Sequence, residues 1–373
     1  MAVRMRTLAR FAVLCVVVGL VWLAIAVAAL GSVWPQQARQ RVSVAVASGS
    51  AADSYPYGSA SFLQLVRDSY GPVYGREASE FTRWMARAYR CSGTGFFGDK
   101  MGLEASLRAL QQDIARTPSG EVRARAEIRI AARLHALIKH MIPRFSLDRG
   151  YEFRNVVRYG ERQCLLQSVL IASILQRIGI RAGVVMIFRN DHGELSNNGH
   201  ATVLVKLSNG QDLLVDASHA EPFPRLQGLL VRAPWYQYVR PVYFGGSPRI
   251  AGYKRVGHGS SVSPSHVQAL DFAFLRSQFW YYRGERARGG VLAAHPTGAG
   301  LTASARFLRR SVSLCPKNAL ALYMLGRTYL AQGKAAQART LLSRSTAEYA
   351  RCGWVPDGPW EYLAACGRTP VRG

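Results

Sequence analysis

The chain has 373 residues, 49% hydrophobic and 19% charged, a balance that excludes a disordered polymer and suits two modest domains. Forty-two arginines and 6 lysines stand against 22 acidic residues, for a net charge of +26. A charge of that size speaks of partners and solubility rather than of fold. Six cysteines in a chain this long exclude a disulfide-dense scaffold.

Arg4, Arg6 and Arg10 precede an uncharged apolar run over residues 11–30. About twenty such residues span a bilayer core of roughly 30 Å as a helix. Residues 1–31 are therefore expected to be a membrane anchor, held in the membrane through residues 11–30 with the arginine flank cytoplasmic. A cleaved secretory signal, with Ala26-Val27-Ala28 as the small-residue site, is the alternative. Either one exports the remainder. The expected location is the cell membrane, single-pass, with the main domain extracytoplasmic, or secretion if the signal is cleaved. Nucleic acid is not expected as a partner, since zinc-finger spacing, aromatic-glycine RNA motifs and basic-zipper heptads are all missing from the sequence. The scattered arginines read as a solvated surface, with anionic lipid or polysaccharide as plausible neighbours.

Residues 32–61 are rich in Ser, Ala and Gly and read as a linker. Residues 62–233 are expected to form the main domain, helical at first: Leu103, Leu107 and Leu110 keep helical spacing, as do Ile128, Ala131, Leu134, Ile138 and Met141. A helix over residues 164–178 is apolar around much of its girth and should be buried, with Gly179 as its stop. Strand-like runs follow at 181–188, 201–207 and 212–216, the last two joined by the hairpin signal Asn209-Gly210. A central helix feeding an antiparallel meander is an α+β arrangement. Residues 234–264 are interrupted by Gly, Pro and Ser and read as a second linker, and residues 265–373 return to helices.

Cys164 opens the buried helix, His200 starts the second strand and Asp216 ends the third. Amides at a helix N-terminus favour a thiolate. A histidine on an adjacent strand can take the thiol proton, and a carboxylate beyond it can orient the imidazole, which is the logic of a Cys-His-Asp triad. His192, among turn residues, reads as solvated, and His219, three residues beyond Asp216, is the rival histidine. No metal or cofactor is expected, because no CxxC or HExxH spacing occurs. Cys352 could pair with Cys315 or Cys366 outside the cytosol.

The segment G-E-R-Q-C-L-L-Q-S-V-L-I-A-S-I-L-Q-R-I-G-I-R-A-G-V-V, with G-H-A-T-V-L-V-K-L and N-G-Q-D-L-L-V-D-A-S after it, resembles the transglutaminase-like superfamily over about residues 124–223. The resemblance implies a papain/transglutaminase-like α+β core, a central helix packed on an antiparallel sheet. It also implies thiol chemistry on an amide, with Cys164 as nucleophile, His200 as base and then acid, and Asp216 as orienter. The chain departs from the family where many members have glycine two places before the cysteine (here Arg162) and an aromatic two places after the histidine (here Thr202). The Cys164 amide is the natural oxyanion donor, with Gln163, Tyr159 and Asn155 as candidate side-chain donors.

Residues 319–352 have the 34-residue period of a tetratricopeptide repeat and resemble one, with Leu322, Leu325, Gly326 and Tyr329 as first-helix knobs and Ala338 and Leu342 on the second. The closing helix of another repeat falls at about 303–315. One repeat does not make a free-standing array, so the segment is expected to be α-helical hairpin repeats packed on the core. The expected function is an exported, membrane-tethered thiol enzyme that acts on peptide or protein substrates through an acyl-thioester, a cysteine peptidase or amidase ahead of a transglutaminase. The alternative is a catalytically silent scaffold that binds partners of an envelope or polysaccharide assembly through its helical repeats.

Overall fold

The computed structural model describes residues 53–70, 77–99 and 101–367. The chain begins with helices α1 (Ala60–Tyr70) and α2 (Glu77–Cys91), a short strand β1 (Phe96–Asp99), and helices α3 (Leu103–Arg116) and α4 (Glu121–Met141). Strand β2 (Arg144–Phe145) then pairs in parallel with β3 (Glu161–Arg162) around the short helix α5 (Phe153–Tyr159). Helix α6 (Cys164–Arg177) starts two residues later. From Cys164 to Leu175 every residue is buried, so this helix has no solvent face and lies in the core. Gly179, at φ +86°, ends it: Ile180 N–H bonds the Leu175 carbonyl at 2.9 Å and Gly179 N–H that of Gln176 at 3.1 Å, a Schellman closure.

Seven strands follow: β4 (Ala182–Arg189), β5 (Leu195–Lys206), β6 (Asp212–Val215), β7 (Gly228–Arg232), β8 (Tyr236–Tyr243), β9 (Ile250–Arg255) and β10 (Ser261–Val262). Their order is β10-β9-β6-β5-β4-β7-β8, all antiparallel, and β8 also pairs with β9. That last pairing closes six strands into a barrel, with β10 added outside β9. The side chains alternate accordingly. In β4, Val185 and Ile187 join the cluster inside the barrel, while Val184, Met186 and Phe188 join the larger core under the helices. Leu204 and Leu214 repeat the inward position on β5 and β6. Each such side chain contributes about 1.5–3 kcal/mol on leaving water.

The expected papain-like core with an open sheet is thus corrected. The fold is α+β, but the strands close into a six-stranded antiparallel barrel. The closing strands, β8 to β10, lie in residues 234–264, where a linker had been expected. Pro241 sits within β8, paired with Tyr253, and a proline argues against a strand when the sequence is read alone. The expected membrane helix is corrected as well. Its residues 11–30 lie outside the described residues, and no described helix is long and apolar enough to cross a membrane. Neither a span nor a single-pass location is carried forward. The last part of the expected first linker is bound rather than free: Tyr55 and Tyr57 are buried, and their amides bond Gln176 Oε1 at 2.7 Å and the Ser173 carbonyl at 2.8 Å on α6.

The C-terminal third comprises α7 (Phe272–Glu285), α8 (Gly298–Leu314), α9 (Ala319–Ala331), α10 (Ala335–Cys352) and α11 (Asp357–Ala365). Asn318 caps α9 by accepting from Ala321 N–H, and its amide donates to Ser277 Oγ at 2.9 Å and Gln278 Oε1 at 3.2 Å on α7. Tyr349 on α10 donates to Asn197 Oδ1 on β5 at 2.5 Å, and Trp354 packs on Phe188 and Tyr238 of the barrel. These helices are therefore fastened to the core. The described cysteines, Cys315, Cys352 and Cys366 among them, are free, so no pairing of Cys352 is formed.

The barrel has one thin seam. Strands β6 and β9 share a single residue pair, Asp212 opposite Ile250. Side chains reinforce it: Asp212 Oδ2 accepts from Lys206 Nζ at 2.7 Å and from the Tyr253 hydroxyl of β9 at 2.6 Å. Lys206 also donates to the carbonyls of Pro264 and Val267. Asp212 is fully buried, so Lys206→Met should leave an uncompensated charge and lower the unfolding free energy by about 3–5 kcal/mol. Urea unfolding measures this, and a loss below about 1 kcal/mol would show that the latch does not hold the seam.

Candidate active site

Cys164 sits at the first position of α6, where backbone amides lack intrahelical partners. Three contacts fix the approach to it. Arg162, buried, donates from Nη1 to the carbonyls of Ile142 (2.9 Å) and Pro143 (3.1 Å), tying the end of α4 to β3. Ser146 N–H bonds the Arg162 carbonyl at 3.0 Å. Gly150 passes so close that a Cβ there would lie 2.3 Å from the Arg162 carbonyl carbon and oxygen, so only glycine fits. One turn into α6, Ser168 Oγ donates to the Ala201 carbonyl at 3.1 Å, setting the cysteine helix against the histidine strand.

His200 lies on β5 and Asp216 directly follows β6. The register Val203 opposite Val215, extended by one pair, places Asp216 opposite Thr202, so His200 shares its face two residues on. Thr202 Oγ1 donates to the Val215 carbonyl at 2.9 Å and locks that register. Arg162 and Thr202, the two departures from the family pattern, thus both hold backbone next to the site.

His200 Nε2 meets Asp216 Oδ2 at 2.5 Å, and the Ser218 amide donates to Asp216 Oδ1 at 2.8 Å. The Cys164 sulfur also acts on this imidazole and favours its charged form. Burial opposes the charged imidazole, but the bonds to Asp216 and Cys164 outweigh it, and the His200 pKa is pushed up to about 11. Asp216 moves the opposite way: it is fully buried, which disfavours its charge, but the bond to His200 wins and lowers its pKa.

The remaining candidates fall elsewhere. His192 is exposed beside Asp191. His219 lies 3.9 Å from Asp216 Oδ2 and 3.8 Å from Asp191 Oδ2. His200, Asp216 and His219 each offer a ligand atom within 4.8 Å of one another, but the Oδ2 that would face a cation already takes the His200 bond. The three side chains expected as oxyanion donors are engaged elsewhere. Gln163 donates its amide to the Leu147 carbonyl at 3.2 Å, and Asn155 donates its own to the Arg149 carbonyl at 2.8 Å. Tyr159 is exposed beneath the Arg149 guanidinium. The polar group that does reach the sulfur comes from far along the chain: the Tyr282 hydroxyl on α7 lies 3.9 Å from Cys164 Sγ and donates to the Gly199 carbonyl at 3.4 Å. Tyr282 belongs to the aromatic run 279–282, which by sequence alone reads as core.

Because the His200 pKa is higher in the folded chain than unfolded, the ion pair contributes fully to stability below about pH 6.5 and fades as pH rises toward about 11. Asp216→Asn should return the His200 titration, followed by NMR of the ring protons, toward the ordinary ~6.5. A wild-type His200 that already titrates near ~6.5 contradicts the pairing.

The tetratricopeptide repeat family matches residues 307–340. The match covers the end of α8, all of α9 and the start of α10, and so supports the helical-repeat reading of the C-terminal segment and a protein-binding role for it. No transglutaminase-like match accompanies it. No curated protein matches the chain.

Proposed function

We propose that this chain is a thiol enzyme acting on peptide or amide bonds through an acyl-thioester, with hydrolysis ahead of transfer to an amine. The observation that carries the proposal is the His200–Asp216 pair, whose imidazole is made more basic by Asp216 and Cys164, with Cys164 at the first turn of a buried helix. The ordered resemblance to the transglutaminase-like superfamily supports the same reading. The sulfur, its proton held on His200, attacks the carbonyl carbon, and the carbonyl electrons move onto oxygen. Collapse breaks the C–N bond, and the leaving amine takes the proton from His200. Water then attacks the thioester, gives its proton to His200, and the sulfur leaves. An amine in place of that water would make the reaction a transfer.

Cys164→Ala should abolish this chemistry and leave the fold intact, since a small side chain replaces a small one. Iodoacetamide labelling with peptide mapping reads it. Cys164 should react at neutral pH in the wild type and lose that reactivity in His200→Ala. Equal labelling of Cys164 in both would sink the role given to His200.

A second reading, a partner-binding scaffold, has its own support. Cys164 is only 2% exposed, and the family match falls on the helical segment. That segment is one-signed: no acidic residue occurs between Glu285 and Glu348, and Arg306, Arg309, Arg310, Lys317, Lys334 and Arg344 are exposed on it. Such a surface suits an acidic polypeptide. Replacing Arg309 and Arg310 by glutamate should weaken salt-sensitive binding of polyglutamate about tenfold. Unchanged binding would remove the surface from consideration.

A further inference from the structure

A tetrahedral intermediate at Cys164 places a negative oxygen within reach of two groups, the Cys164 amide and one side chain from α7. The Tyr282 hydroxyl is 3.9 Å from the sulfur that would carry the acyl group. Its present acceptor, the Gly199 carbonyl, is a long 3.4 Å away. Rotation about the C–O bond alone would turn the hydroxyl proton from that carbonyl to a new oxygen near the sulfur. The ring itself is held. It lies 6.0 Å from Tyr151 in a stacked arrangement and 5.3 Å from Tyr281 edge-on. Arg283, next along α7, donates to the Ser69 carbonyl at 2.6 Å, and Ser69 Oγ in turn bridges the Tyr151 carbonyl (2.9 Å) and the Phe153 amide (2.9 Å). From the other side, Asn318 fastens Ser277 and Gln278 of the same helix. A donor fixed before the reaction needs no reorganisation when charge develops.

We infer that Tyr282 is the side-chain oxyanion donor of this site, a catalytic residue supplied by the C-terminal helices and acting with the Cys164 amide. The inference rests on the thiol-enzyme reading above. Burial first, and the neighbouring sulfur second, hold the phenol well above its ordinary pKa, so it remains a donor throughout the working range. It donates a hydrogen bond and transfers no proton. The proton stays on His200, the carbonyl π electrons rest on the oxygen facing Tyr282, and they return as the leaving group departs.

Two reagents separate this role from its rivals. p-Nitrophenyl acetate acetylates a thiol through a tetrahedral oxyanion, with the S–C bond forming and the ester C–O bond breaking. Iodoacetamide alkylates the same sulfur by displacing iodide and forms no oxyanion. The rate of each at Cys164 is followed by peptide mapping, because Cys91 is free and exposed. Tyr282→Phe should slow acetylation about 100-fold and leave alkylation within about twofold. Equal rates in variant and wild type overturn the inference, as does an equal fall in both reactions. A rise in both also overturns it, because the phenol would then merely cover the sulfur. The underlying thiol reading fails separately, in the wild type itself, if neither reagent modifies Cys164.

Discussion

Strands β4, β5 and β6 each bury one face inside a closed barrel and the other beneath helices, so every residue on them has an assigned side. With a side-chain period of two, slipping any of these strands by one position would carry its apolar set to the wrong layer. That constraint is what makes the site reproducible. It holds Asp216 opposite Thr202 with His200 on the same face, and the Ser168–Ala201 bond then sets the height of α6 against β5. The cysteine is aimed by the barrel as much as by its own helix.

Burying Asp216 completely has a cost that the His200 bond and the Ser218 amide offset. The same arrangement raises the proton affinity of the imidazole. Structure and chemistry are therefore coupled at this point: the pair that satisfies a buried carboxylate also favours a cationic histidine beside a thiol. The Lys206–Asp212–Tyr253 latch, by contrast, satisfies a buried carboxylate of the same strand with no reactive neighbour, and its work is to close the barrel. Two aspartates four residues apart serve different ends because their partners differ, His200 for Asp216 and Lys206 with Tyr253 for Asp212.

The positions of the candidate residues were legible in the sequence, since Cys164, His200 and Asp216 sit at the ends of strongly patterned elements. An apolar helix with a glycine stop and an Asn-Gly hairpin leave little freedom in placing them. Barrel closure was not legible. It depends on strands carrying Pro241 and flanked by glycines, whose pairing is decided by partners far along the chain. The oxyanion donor was hidden for a related reason. Residues near Cys164 in sequence, Gln163 and Asn155, spend their amides on local carbonyls, while Tyr282 arrives from 118 residues away in a run that looks like ordinary core. The C-terminal helices were legible as a repeat, but their attachment through Asn318, Tyr349 and Trp354 follows from surface complementarity that periodicity does not encode.

The central claim is that Cys164 carries an acyl group during turnover. Intact-mass measurement after brief exposure to an activated acyl ester, followed by peptide mapping, tests it most directly. The account requires a single acyl adduct on the peptide containing Cys164, sensitive to hydroxylamine and missing from Cys164→Ala. An adduct found instead on Cys91 or on lysines, with Cys164 unmodified, would contradict it.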